Sequence, residues 1–439
     1  MNKSKENIEG WGRYGNYETK IYRPKTINEI KNKLSNSSID TFICRGLGRS
    51  YGDSSINNKI INLSNLKRKL RISKKKNEIE CTSNFSIKEL LPILLKDKFF
   101  LNVTSGTQYV TIGGAIASDI HGKNHHKDGS FCDYVNEIEI LLANGKIIKC
   151  SKNKNPKLFF STCGGMGLTG IILSAKIQLL KIPSNFIKET IIKSTSLKET
   201  FNYFKQYNHK KYLVSWIDTN AKKENLGRGI IYIGEHIDYK NEAFVKHNFF
   251  RIPFDFPNFV LNNFFLKLFS KIFFFKNIKF KQRVVDLKKY FYPLDNIENW
   301  NKIYGKIGFV QIQVLLPNQN TVVNLKKIIQ FFQQKKQVSF VSTLKKMGKK
   351  NKNLLSFPEE GYTITFDIKN NPNLKIFYNE LEKILKKMNA KIYLTKDALM
   401  TKEYFQKTYS NINKFIKYKK IYDPKLKFAS YQSKRLDIR

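Results

Sequence analysis

Three glycine-rich loops near the start of the chain constrain it more than any other feature: RGLGRSYGD at Arg45–Asp53, GTQYVTIGGAIASDIHGKNHH at Gly106–His126 and CGGMGLTG at Cys163–Gly170. Glycine lets backbone N–H groups close around phosphate oxygens, and it lets a planar ring lie against the main chain. Arg45 and Arg49 add the charge that a diphosphate needs. A dinucleotide-binding GxGxxG would lead straight into an apolar-periodic helix, whereas DSSINN at 53–58 is turn material. Any one such loop is an ordinary turn. Three in one region point to an extended ligand bearing phosphates and a planar ring system.

The elements around the loops are short and mixed. Thr26 with Glu29 forms a capping box for a helix whose apolar face is Ile27, Ile30 and Leu34. TFIC (41–44), 60–63 and 79–82 have strand character, a helix follows at Ser86–Leu95, and Val135–Leu142 and Lys146–Cys150 flank an Ala143-Asn144-Gly145 hairpin turn. Ile172–Leu180 alternates like a sheet strand, and beyond Pro183 glycine thins out while aromatic residues increase. The expected division is a ligand-binding domain over 8–183, a substrate or cap domain over 184–390, and a segment at 391–439 that returns to the site. The fold class is α+β.

A formal net charge of +44 raises the question of nucleic acid. The lysines are spread along the chain with abundant Asn and Ile, and no helix-turn-helix, zinc-finger or RNP-like pattern accompanies them, so no specific nucleic-acid partner is expected. Five cysteines without CxxC spacing fit neither a disulfide framework nor a zinc site, and the N-terminal stretch has no apolar core of a secretory signal. His121, His125 and His126 have poor spacing for ligation around Gly122, and no metal is expected. The Phe-rich stretch 249–280 is broken by Asp255, Asn262, Asn263, Lys267 and Lys271, which makes it a poor spanning helix. Its pattern suits an amphipathic, interfacial lid, or a buried helix pair of the second domain; periodicity alone does not separate the two.

The order and wording of the loops resemble the FAD-binding domain of the vanillyl-alcohol-oxidase (PCMH) type, and in particular the decaprenylphosphoryl-β-D-ribose 2′-oxidase family. RGLGRSYGD, GTQYVTIGGAIASDIHGKNHH with DGSF after it, and GGMGLTGII carry the resemblance. It continues through SWID (215–218), FYPLD (291–295), GFVQIQ (308–313), LSFP (355–358), YLTKDA (393–398) and DPKLKFAS (423–430). The resemblance implies a two-subdomain FAD-binding domain followed by an α+β substrate domain with an antiparallel sheet. It also implies oxidation of the 2′-hydroxyl of a polyprenyl-phosphoryl ribose to a ketone, half of an epimerisation that a partner keto-sugar reductase would finish.

Family contacts to FAD map onto Arg45, Gly46, Leu47, Gly48, Arg49, Ser50, Tyr51, Gly52 and Asp53. Further contacts map onto Gly106, Thr111, Gly113, Gly114, His121, Gly122, Lys123, Asn124, Ile172 and Tyr393. Covalent relatives place a flavin-linking histidine where Arg49 stands, so non-covalent FAD is expected. For the chemistry, Lys396 is the expected cation at the flavin's N1–C2=O edge, with Tyr51 and His121 positioning the hydroxyl or relaying its proton. Gln311 and Gln313 are expected at the sugar, Lys345 at the substrate phosphate, and Trp216 and Thr365 at the site wall. Thr365 stands where the family has the cysteine attacked by covalent inhibitors; Phe291 and Met347 replace a family tyrosine and phenylalanine. These departures bear on the lipid, the sugar and the inhibitor, and leave the flavin chemistry untouched. A lipid-linked substrate implies a cytoplasmic protein peripherally attached to the inner membrane. The competing enzyme reading is an aldonolactone or sugar-alcohol oxidase acting on a soluble polyol.

Overall fold

The computed structural model describes residues 5–35, 40–240, 250–257, 262–337, 339 and 341–439. Two sheets build the glycine-rich half. A small four-stranded sheet runs in the order Lys5–Ile8, Tyr17–Tyr22, Lys59–Ile61, Ile43–Cys44, the last three mutually parallel. The helix Ile27–Ser35 buries Ile30 and Leu34, and the Glu29 N–H donates to Thr26 Oγ1 (3.2 Å) as the capping box predicts. The second sheet is antiparallel and centres on the long strand Ile171–Lys181, between Glu78–Thr82 and Val135–Leu141. Leu70–Ser73 and Ile147–Cys150 lie outside these, and Phe99–Leu101 pairs with the far end of the central strand. The hairpin at 143–145 closes as read: Gly145 takes a left-handed φ of +81°, and Asn144 Oδ1 accepts from the Lys146 N–H.

The second half is one eight-stranded antiparallel sheet. Its order is Phe280–Asp286, Phe186–Ser194, Gly229–His236, Tyr212–Ile217, Thr343–Met347, Gly361–Lys369, Phe309–Pro317, Lys391–Ile392. One face packs on the helices Leu197–Gln206, Thr321–Gln334 and Leu374–Lys387. The last buries Leu374, Phe377, Tyr378, Leu381 and Leu385, a three-and-four spacing that places one stripe on the sheet. Phe332 stacks on Phe366 (4.1 Å) and meets Phe377 edge-on (5.1 Å), and each such buried ring contributes about 1.5–3 kcal/mol. The other face of the sheet is left for the site.

The last segment ties the halves together. Lys391–Ile392 extends the large sheet, while Phe428 bridges to Phe42 in the first half. Lys419 is buried with Asp423 (2.7 Å) and also donates to the carbonyls of Leu168 and Phe428. Arg435 spans Asp53 (2.9 Å) and Asp397 (2.8 Å), so one guanidinium joins the first glycine loop to the loop carrying Lys396.

Of the Phe-rich stretch, residues 249 and 258–261 lie outside the described residues. Asn263–Lys276 is a single helix, capped by Asn262 Oδ1 accepting from the N–H groups of Phe264 and Phe265. Among its described side chains only Leu266, Ser270 and Phe274 are buried, at a four-residue spacing, and Phe274 packs with Ile191, Trp216 and Ile230. Phe264 is 70% exposed, with Phe265, Leu268, Ile272 and Phe275 also open. The buried helix pair considered from the sequence is therefore not what forms. A helix with only one narrow buried stripe covers the sheet and turns its other rings outward. No helix among the described residues is long and apolar enough to cross a membrane.

Candidate active site

A cavity of about 880 Å³ lies between the three loops and the open face of the large sheet. Its size falls in the range of ligand and cofactor sites. At one end the backbone N–H groups of Gly46, Leu47, Gly48, Arg49 and Ser50 make no hydrogen bond to any described residue. Five consecutive unspent donors form a concave anion site. Arg45 backs this turn, its Nη1 donating to Ser55 Oγ (3.0 Å) and Nη2 to the Glu9 carbonyl (2.8 Å). Gly48 sits at φ +63°, which favours glycine, and a Cβ there would displace the Arg45 guanidinium, 2.2 Å away at Nη2. Arg49 lies over Trp11 (4.1 Å from the ring centroid) and Tyr109 (5.3 Å).

The second loop forms a side wall. Thr111 Oγ1 accepts from the Gly114 N–H (3.1 Å) and starts the short helix Ile112–Ala117. A Cβ on Gly106 would meet nothing within 4 Å, so Gly106 keeps cavity space free. Gly113, Gly122 and Ile172 line the same wall, and Tyr393 closes it, donating to the Ser118 carbonyl (2.9 Å) and stacking on Phe357 (4.8 Å).

The reactive end gathers residues distant in sequence. Gln311 and Gln313 alternate on Phe309–Pro317 and face the cavity, opposite Asp367 and Thr365 on the neighbouring strand. The protonation of His121 follows from its partners. Thr363 Oγ1 donates to the Val314 carbonyl (2.9 Å), so it accepts from Gln313 Nε2 (3.1 Å), and the same amide nitrogen donates to His121 Nε2 (2.8 Å). His121 is then the neutral tautomer with hydrogen on Nδ1, which has no partner among the described residues. Burial, then nearby Lys345, holds this imidazole well below the usual histidine range.

Besides Lys88, three lysines line the cavity. Lys396 Nζ lies 3.8 Å from the Tyr51 ring centroid; burial lowers it to about 7, opposed by Asp367 and reinforced by Lys345. Burial brings Lys345 to about 8, and it has no hydrogen bond or ion pair among the described residues. Lys123 is also drawn to about 7 by burial and by Lys345, while its ammonium donates to the Tyr290 carbonyl. Such under-compensated cations are poised for an anionic ligand. Tyr51 lines the cavity with Gln311 and is pushed well above the ordinary phenol range by burial and Asp367. Thr365 lines the wall, its hydroxyl accepting from the Thr343 N–H (3.0 Å).

Four expected site residues do not line the cavity. Gly52 packs behind the loop, where a Cβ would meet the Asp397 carbonyl at 2.1 Å. Asp53 is engaged by Arg435, and Asn124 donates to the Asn102 carbonyl (2.8 Å) and Asp128 (2.6 Å). Trp216 is on the same strand face as cavity-lining Val214, two residues on, but the Phe-rich helix covers it through Phe273 (4.8 Å) and Phe274. His125 and His126 turn away from the cavity, toward Gly348 and the Lys210 carbonyl. Among the described residues no His, Cys, Asp or Glu group is arranged to hold a metal. Sequence reading passed over Trp11, Asp295 and Thr343 in the lining, and Asp367 behind it. Asp367 was within reach, since two-residue alternation puts it on the face of Thr365.

Comparison with known proteins bears on this geometry. An FAD binding domain model matches residues 20–151, and a D-arabinono-1,4-lactone oxidase model matches 363–436. The decaprenylphosphoryl-beta-D-ribose oxidase of Mycolicibacterium smegmatis is 31% identical over 448 aligned positions, covering 98% of this chain and 97% of that protein. The L-gulonolactone oxidase of Bos taurus is 26% identical over 44% of each chain. Cytokinin dehydrogenase 1 of Arabidopsis thaliana is 35% identical over 20% of this chain and 15% of its own.

Proposed function

Because the chain belongs to the decaprenylphosphoryl-beta-D-ribose oxidase family, we propose that it oxidises the 2′-hydroxyl of a polyprenyl-phosphoryl-β-D-ribose to a ketone. It is an FAD-dependent oxidoreductase acting on a sugar. The observation that carries the reading is the pairing of an unspent N–H nest at Gly46–Ser50 with an amide-and-lysine cluster at the cavity's other end. FAD fits these residues: the nest, Arg45 and Arg49 suit its diphosphate, and the space kept by Gly106 suits a planar ring system. When bound, FAD accepts the hydride from the sugar carbon.

The chain's own groups do the rest. Lys396 places a positive charge where negative charge accumulates as the acceptor is reduced. Tyr51 orients the hydroxyl and relays its proton, and neutral His121 helps orient it through its free Nδ1–H. Lys345, without a counter-charge of its own, receives the substrate phosphate. Arg49, stacked on Trp11 where covalent relatives carry histidine, leaves FAD without a covalent bond.

The proposed substrate carries a lipid, and the exposed face of Asn263–Lys276 supports peripheral attachment to a membrane. Phe264, Ile272 and Phe275 stand out with Lys267, Lys271 and Lys276, a pairing suited to an anionic leaflet. This supports a cytoplasmic protein peripherally associated with the inner membrane. The ketone would pass to a keto-sugar reductase, completing epimerisation to the arabino form.

The test combines a spectrum with turnover. Flavin bands released on acid precipitation support non-covalent FAD. Anaerobic bleaching of those bands by polyprenyl-phosphoryl-ribose, and not by free ribose, supports the substrate. Hydrogen peroxide produced from soluble aldonolactones would favour the second reading, a lactone oxidase, which rests on the match over 363–436. Equal sedimentation with phosphatidylglycerol vesicles by wild type and a Phe264→Ser/Ile272→Ser/Phe275→Ser variant would refute membrane attachment through this helix.

A further inference from the structure

Asp367 is fully buried on the strand Gly361–Lys369, directly across from Gln311 on Phe309–Pro317. It does not reach the cavity, yet it is joined to two groups around the reactive end. Gln311 Nε2 donates to its Oδ1 (2.5 Å), and Tyr304 Oη donates to its Oδ2 (3.0 Å). Tyr304 stacks on Phe309 (4.0 Å), Phe309 meets Tyr51 edge-on (5.6 Å), and the Tyr51 ring carries Lys396 at 3.8 Å. A buried carboxyl with only neutral hydrogen-bond partners is costly to keep as a purely structural element.

The charges facing Lys396 decide what Asp367 is for. From the strand Thr343–Met347 comes Lys345, which repels it; from the second loop comes His121, neutral; from the first loop comes Tyr51, a neutral phenol. Asp367 is the group that attracts it. We propose that Asp367, touching neither substrate nor cofactor, is the orienting group and counter-charge of the site: it fixes the Gln311 amide and balances the Lys396 ammonium. With one Gln311 Nε2 hydrogen committed to Asp367, the amide is held in a single orientation beside Tyr51. With the carboxylate ionised, Lys396 keeps its proton near neutral pH despite burial and Lys345. Burial pushes Asp367 itself up to about 6, so the balance is in place above that pH.

This inference rests on the flavin reading and is tested apart from turnover, by the midpoint potential of the FAD-loaded protein measured across pH 5.5–9.5 by spectroelectrochemistry. Wild type should show a break where Lys396 loses its proton, and Lys396→Met should lack it. In Asp367→Asn the break should move at least one pH unit lower. Tyr304→Phe, which removes a donor that keeps the carboxylate ionised, should move it the same way by less, and it serves if Asp367→Asn does not fold. A break at the same pH in wild type and in these variants, or no break in wild type, overturns the role of Asp367. The predicted shifts in a protein that leaves polyprenyl-phosphoryl-ribose unoxidised would refute the substrate alone.

Discussion

The ammonium of Lys396 lies 3.8 Å from the centre of the Tyr51 ring, although the two residues belong to opposite ends of the chain. Tyr51 is fixed by its own backbone, whose N–H donates to the Thr395 carbonyl (3.0 Å), so ring and ammonium are locked by adjacent contacts. Replacing Lys396 by Met should leave FAD uptake intact and slow flavin reduction by about 10²–10³-fold, the usual loss when a charge-stabilising donor is removed. Stopped-flow bleaching at saturating substrate checks it; a rate within threefold of wild type contradicts the role.

Gly106 and Gly52 separate cofactor space from folding space. A side chain at Gly106 enters open cavity, whereas at Gly52 it strikes the Asp397 carbonyl. Gly106→Val should therefore keep the apoprotein's melting temperature within about 2 °C while weakening FAD binding at least tenfold, as about 1.4 kcal/mol of lost fit would give. Gly52→Ala should lower the melting temperature of the apoprotein itself. Differential scanning fluorimetry with and without FAD distinguishes these outcomes.

Arg435 holds two buried carboxylates, and its loss strands both. Arg435→Met should cost about 3 kcal/mol of stability, because Asp397 in particular has no route to solvent. Urea unfolding measures the change. The Lys396 loop should loosen with it, seen as faster amide exchange at 395–400.

His125 gives the protein an acid limit. Its Nδ1 accepts from the Gly348 N–H (2.9 Å), and burial lowers it to about 4. The unfolded chain takes up this proton near pH 6.5 while the folded chain does not, so stability falls as pH drops from about 6.5 toward 4. His125→Gln should be less stable at pH 7.5 yet show a shallower fall across that window. Parallel slopes in urea midpoints against pH would argue against this account.

The glycine loops, the Thr26–Glu29 cap and the Asn144-Gly145 turn were readable because each depends on residues within a few positions of one another. The reactive end was readable only through resemblance, because it assembles strands far apart in the chain. No local pattern pairs Gln311 with Asp367, or says that Arg435 faces Asp53. Trp216 shows the limit of alternation: it puts the ring on the cavity's face of the sheet, but only tertiary packing reveals that the Phe-rich helix covers it there. Whether that helix is core or cover could not be decided from periodicity, because its buried stripe of Leu266, Ser270 and Phe274 is no more apolar than the face it exposes.

The segment after Lys391 is bound into both halves by the Phe428–Phe42 bridge, the Lys419 contacts and the Arg435 clamp. During synthesis the first glycine loop leaves the ribosome long before the residues that brace it. The nascent chain must carry an unbraced loop until residues 419–435 emerge. Capture of a ligand by that loop is then a late event, and a chain terminated before Arg435 would be left without the clamp that joins the loop to Lys396.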